Sequence, residues 1–134
     1  MRILLDTNIL ISAALFPNGT ASKAYIKAVS DPNKAVVCDW SIEELHRVFN
    51  RKFPGRLGLL NQFLAMASMS IELIPTPIDE VADETLIRDT KDRPILRAAQ
   101  KSHVDALLIG DKDFLESGVA IPIILDPVTF ITQY

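Results

Sequence analysis

Five short apolar runs punctuate this sequence, and the stretches between them carry apolar residues at helical spacing. Ile3-Leu4-Leu5, Ala35–Cys38, Ile71–Ile74, Ala106–Ile109 and Ile121–Leu125 are too short for helices and are apolar at successive positions. A strand with two apolar faces belongs inside a sheet covered on both sides. The intervening stripes are Ala21, Ala24, Tyr25, Ala28 and Val29, ending before Asp31-Pro32-Asn33; then Ile42, Leu45, Val48 and Phe49; then Leu60, Phe63, Leu64 and Ala67; then Ile95, Ala98 and Ala99. Strands joined through helices predict an α/β fold with a parallel sheet between helical layers. Pro75-Thr76-Pro77 reads as a connector, since neither flank could hold a core of its own.

At 134 residues the chain has the length of one domain, expected to span 1–134. A chain of this size can bury a core without disulfides, and Cys38 is its only cysteine. With 49% hydrophobic and 23% charged residues, disordered and fibrous classes are excluded. The longest apolar runs, such as Ile9–Phe16, fall far short of the ~20 residues of a membrane span. Asp6 interrupts the first apolar residues too early for a secretory signal. A soluble cytoplasmic protein is therefore expected. The net charge of −3 hides an asymmetry: residues 1–67 carry +3 and residues 68–134 carry −6. That pattern suits a basic face beside an acidic site, and equally two unevenly charged solvated faces.

Ligands of open α/β sheets sit beyond the carboxyl ends of the strands. Asp6-Thr7-Asn8 follows the first run, Asp39 to Glu44 the second, Gly110-Asp111-Lys112-Asp113 the fourth and Asp126-Pro127 the fifth, while Asp89-Thr90-Lys91-Asp92-Arg93-Pro94 precedes the helix leading into the fourth. Each has a helix-capping reading. Asp126 before Pro127 reads as a cap, Asp92 with Pro94 as a helix start, and Ser41-Ile42-Glu43-Glu44 matches a capping box. The conjunction asks for more. Asp6, Glu44, Asp92 and Asp111 can converge on one end of one sheet, where four carboxylates stay ionised together only around a cation. An all-oxygen donor set, without a second Cys or a nearby His, suits Mg²⁺ or Mn²⁺ and disfavours zinc. One ion, or two about 4 Å apart, would fit, and such ions equip a site for phosphoryl transfer or phosphodiester hydrolysis.

These residues resemble the PIN-domain ribonucleases, most closely the VapC-like toxins of bacterial and archaeal toxin–antitoxin pairs. The apolar strand into Asp6-Thr7-Asn8 looks like that family's opening motif, and Glu44 falls where its helix glutamate sits. Asp89 to Leu96 with Ala98-Ala99 resembles the third acidic motif, Leu107 to Leu115 the fourth, and Asp126 to Phe130 the closing helix. The resemblance covers essentially the whole chain and implies a three-layer α/β/α fold with a five-stranded parallel sheet. It further implies an endoribonuclease using Mg²⁺ or Mn²⁺, usually a homodimer, and silenced when an antitoxin occupies its groove. On this resemblance Asp6 and Asp111 would be direct ligands, Glu44 and Asp92 would hold the metal or its water, and Asp113 would serve a second site. Thr7 and Asn8 would orient the carboxylates by hydrogen bonds. Ile109 departs from the family's usual Ser or Thr before Gly-Asp, removing a hydroxyl beside Asp111. Glu43 rivals Glu44: on a helix the two point about 100° apart, so only one can face the cleft.

Arg47, Arg51, Lys52 and Arg56 form the densest basic cluster, and Arg47 and Arg51 share a helix face one turn below Glu44. Such cations would contact RNA phosphates without reading sequence; a plain solvated face is the competing reading. Trp40 could stack a base or pack at the core boundary. His46 and His103 read as surface or core-edge residues. Phe53-Pro54-Gly55 and Leu57–Met69 offer apolar surface to a dimer mate, to an antitoxin or to the core itself. Two other functions compete: a Mg²⁺ phosphohydrolase of haloacid-dehalogenase type, which would require Asp where Asn8 stands, and a catalytically silent RNA- or partner-binding domain.

Overall fold

A computed structural model describes residues 1–134. Its strands are β1 (Arg2–Leu5), β2 (Lys34–Cys38), β3 (Ile71–Ile74), β4 (Ala106–Leu108) and β5 (Ile123–Leu125), and its helices α1 (Thr7–Leu15), α2 (Thr20–Val29), α3 (Asp39–Lys52), α4 (Leu57–Ala67), α5 (Arg93–Lys101), α6 (Lys112–Leu115) and α7 (Pro127–Gln133). All strands pair in parallel, in the order β3-β2-β1-β4-β5. Each apolar run thus becomes a strand, and helices cover both faces of the sheet in three α/β/α layers. No helix is long and apolar enough to cross a membrane.

Alternation along the strands sorts side chains onto the two faces. Ile3, Leu5, Ala35 and Val37 join Leu45 and Phe49 of α3, Leu60 of α4 and Phe130 of α7 in one core. Leu4, Val36, Cys38 and Leu107 join Ile95, Leu96 and Ala99 of α5 and Phe114 of α6 in the other. Ile109, where the family commonly has a hydroxyl, is 1% exposed in this second core.

The run Ile9–Phe16, apolar nearly throughout, forms most of α1, which packs in the first core. The capping box proposed for Ser41–Glu44 is not formed. α3 begins at Asp39, two residues earlier, so Ser41 lies inside the helix with its Oγ 3.5 Å from Cys38 Sγ. Asp39 instead accepts bonds from the Thr76 amide (2.9 Å) and hydroxyl (2.6 Å), pinning the Pro75–Pro77 connector and holding its own carboxyl below the usual range. Asp126 caps α7 as expected, accepting from the Thr129 amide at 2.7 Å with Pro127 in the first turn.

The connector from Pro75 to Asp92 carries only two short 3₁₀ turns, at Ala82–Leu86 and Thr90–Asp92. It is strapped to α5. Arg97 forks onto buried Glu84 at 2.7 and 3.2 Å and reaches the Pro77 carbonyl at 3.0 Å. Arg93 donates to the Ile87 carbonyl and Gln100 to Asp83. These bonds fix the end of the connector that carries Asp89, Lys91 and Asp92.

Candidate metal and RNA site

In this strand order the chain departs in opposite directions from the central pair, β1 and β4, so their carboxyl ends flank the switch point where ligands of such sheets bind. Asp6 leaves β1 there, its amide still bonded to the Leu108 carbonyl at 3.1 Å. Asp111 follows β4 after Ile109-Gly110. α3, leaving neighbouring β2, supplies Glu44, and the N-terminus of α5 supplies Asp92.

Two of the four acids also cap helices. Asp6 Oδ2 accepts from the Asn8 amide at 3.2 Å at the start of α1. Asp111 Oδ1 accepts from the Asp113 amide at 3.1 Å at the start of α6. Each carboxylate spends one oxygen on the cap and retains the other. Asp92 occupies the cap position of α5 without making the cap bond, so the helix uses neither of its oxygens.

Electrostatics tie the group together. Asp6 is 3% exposed, and its pKa is pushed up to about 7, first by burial and then by the charges of Glu44 and Asp111, against the lowering pull of the Asn8 and Thr7 amides. Asp92 is likewise pushed up to about 7 by burial, by the charges of Asp6, Asp89 and Asp111, and by a hydrogen bond with Asp111 that favours its protonated form. Asp6 therefore lies in the fields of Glu44 and Asp111, and Asp92 in those of Asp6 and Asp111, with Asp6 and Asp111 common to both. As the side chains stand, no three His, Cys, Asp or Glu groups close to coordinating distance around one point. The donor set nevertheless fits a hard divalent ion: it is all oxygen and partly buried, and two of its members, Asp6 and Asp92, are held above the usual carboxylate range by burial and by neighbouring negative charge, which a cation would offset.

Glu44, rather than exposed Glu43, is the charge acting on Asp6. Asp113 is exposed and is not among the leading charges acting on Asp6 or Asp92; its contribution is its amide to Asp111. Thr7 and Asn8 reach Asp6 through main-chain amides and not through their side chains, and the buried Thr7 hydroxyl has no partner.

Beside the acids, Trp40, Glu44, Arg47, Val48, Arg51 and Lys91 line a hollow of about 210 Å³. Arg47 and Arg51 share it with Glu44 because positions three, four and seven apart stand on one helix face. Lys52 and Arg56 are exposed outside it. Lys91 completes the cation set and was missed by sequence reasoning, although its place between Asp89 and Asp92 was the available signal. Trp40 is half-buried against the second core with the Arg47 guanidinium 5.1 Å over its ring, so that ring face is already covered. His46 and His103 are exposed, away from the acids' contacts.

The sequence profile of the PIN domain matches residues 2–113. The chain belongs to the PIN-domain family. That assignment sets aside the haloacid-dehalogenase reading. No curated protein matches this PIN domain closely enough to serve as a relative. Among solved structures it is similar to VapBC2 from Rickettsia felis bound to a DNA fragment from its promoter, with TM-score 0.70 and 16% identity over 94% of this chain and 98% of that one. It is also similar to VapC20 of Mycobacterium tuberculosis, a toxin cleaving the sarcin–ricin loop, with TM-score 0.61 and 18% identity over 87% and 95% of the two chains. A toxin–antitoxin complex from Klebsiella pneumoniae gives TM-score 0.63 and 23% identity over 93% and 97%. At these identities the likeness is one of fold.

Proposed function

We propose that this PIN domain is a Mg²⁺- or Mn²⁺-dependent endoribonuclease, the toxin of a toxin–antitoxin pair acting in the cytoplasm. The observation that carries the reading is the placing of buried Asp6 at the switch point in the fields of Glu44 and Asp111, with Asp92 in turn in the fields of Asp6 and Asp111. Asp6 and Asp111 would hold the ion through the oxygens their caps leave free, with Glu44 and Asp92 completing the donor set. A divalent ion supplies a water of lowered pKa, orientation of the phosphate and countercharge for the leaving oxygen. Asp92, able to take up a proton near neutral pH, is suited to accept one from the attacking water. Arg47, Arg51 and Lys91 would position the strand by its phosphates, with Lys52 and Arg56 extending the basic surface.

The toxin assignment draws on the similar structures, two of which are toxin–antitoxin assemblies by name. It also draws on an apolar hollow of about 220 Å³ lined by residues including Leu10, Ile42, Phe63 and Leu64, with Met66 and Met69 exposed beside it. Such a face suits an antitoxin segment or a second copy in a homodimer.

The test is cleavage of a labelled RNA pool with Mn²⁺, with EDTA, and with Mn²⁺ plus the Asp111→Asn variant. Cutting in the first condition alone is expected. Binding without cutting in all three would make this a silent RNA-binding domain.

A further inference from the structure

The turn joining α1 to α2 builds a second polar hollow that the carboxylate cluster does not use. Ser12, Phe16, Gly19, Thr20, Ala21 and Ser22 line a space of about 240 Å³ at the N-terminus of α2. This helix has ten residues, and its cap, Gly19, offers no side chain to the amides of the first turn. The first amide with a helical acceptor is that of Lys23, bonded to the Gly19 carbonyl at 3.1 Å. The amides of Thr20, Ala21 and Ser22 precede it, the set of orphan donors that makes a helix start an anion site.

A second observation points into the same space. Ser22 is only 5% exposed, lines the hollow, and its hydroxyl bonds to no group of the chain. Several hydroxyls at the far ends of helices fold back onto carbonyls instead: Ser30 onto Ile26 (2.6 Å), Ser102 onto Ala98 (2.6 Å) and Thr132 onto Val128 (2.8 Å). Ser12 and Thr20, beside Ser22, keep theirs free as well. At the rim stands Phe16, 62% exposed, its backbone fixed by bonds to Ser12 (2.8 Å) and Gly19 (2.9 Å). A Cβ on Gly19 would come within 3.2 Å of the Phe16 carbonyl oxygen, so glycine keeps this turn tight.

Amides and hydroxyls converging on a hollow suit a phosphate, and an exposed aromatic ring suits a base. A nucleotide carries both. Along α1 the hollow is not far from the carboxylate site: Ser12, which lines it, is about 9 Å along the helix from Asp6, a separation that a short RNA strand spans. We infer that this hollow holds one nucleotide of the single-stranded RNA substrate, its phosphate on the α2 N-terminus and Ser22 and its base on Phe16. The inference rests on the ribonuclease reading above.

Fluorescence anisotropy of a labelled oligouridine of roughly twelve nucleotides, in EDTA to prevent cutting, tests it. Phe16→Ala should weaken binding roughly five- to a hundredfold, the range for losing one base–aromatic stack, and Phe16→Trp should restore it. Ser22→Asp should weaken binding too, while Tm holds or rises because an acid in a first helical turn is favourable. Ser22→Ala, with a smaller loss, guards against a misfit of the larger side chain. Wild-type affinity for Phe16→Ala and both Ser22 variants, with Arg51→Ala weakened, would overturn this inference and leave the ribonuclease reading standing. No binding by the wild-type chain would overturn both. Uridine 5′-monophosphate bound in a Ser22-dependent way, with oligouridine indifferent to Phe16 and Ser22, would make this a free-nucleotide site and overturn the assignment to the RNA strand.

Discussion

Asp6 does two jobs with one side chain: an oxygen caps α1, and the carboxyl sits buried in the field of Glu44 and Asp111. Its neutral isostere keeps the cap acceptor and removes the repelled charge. Asp6→Asn is therefore expected to abolish Mn²⁺-dependent RNA cleavage while raising the Tm of the metal-free protein at pH 8; a lower Tm would show that the charge is structurally required. The pH dependence follows with a definite sign. A carboxyl whose folded pKa is raised contributes stability that is complete below its unfolded pKa and is lost as pH rises through the folded one. For Asp6 and Asp92 that window runs from 3.8 to about 7. Glu84, held below 4.5 by Arg97, contributes in the opposite sense, its stabilisation fading as pH falls below that value. Thermal melts in EDTA should thus fall between about pH 5 and 8, and Mg²⁺ should recover Tm far more at pH 8, where it offsets the repulsion of ionised carboxylates, than at pH 5, where it must first displace their protons. Equal recovery at both values would count against carboxylate ligation.

The elements differ in how legible they were from sequence. The strands were readable because both faces of each are buried, leaving unbroken apolar runs. α3, α4 and α5 were readable from the spacing of residues such as Leu45, Phe49, Leu60, Ile95 and Ala99. The apolar run Ile9–Phe16 has no clean stripe, so length and composition alone did not separate helix from strand there. The start of α3 was misplaced because Ser41 and Glu44 imitate a cap, whereas Cys38, which bears no cap acceptor, sits at the true boundary. Nothing local marks the connector before α5, because it is fastened by distant partners: Glu84 finds Arg97 thirteen residues on. Glu84→Ala leaves Arg97 charged and largely buried, and chemical denaturation should show a loss of about 3–5 kcal/mol. Phe49→Ala, emptying a site with no exposure in the first core, should cost a similar ~3–5 kcal/mol.

At the scale of the whole molecule, an acidic centre and a basic flank coexist in a chain of net charge −3. The sequence pointed to Glu44, Arg47 and Arg51 on one helix face, and the fold brings Lys91 to them from the connector, a juxtaposition no local spacing encodes. Arg51→Ala should weaken single-stranded RNA binding and reduce the slope of log K against log salt by about 1, since one phosphate contact is lost. An unchanged slope would place the RNA track elsewhere. Everything catalytic in this account depends on a divalent ion seated between β1 and β4. Anomalous diffraction from crystals grown with Mn²⁺ measures that directly: the account predicts a peak bounded by Asp6, Glu44, Asp92 and Asp111, and a map with no peak there, or with manganese held by other residues, would contradict it.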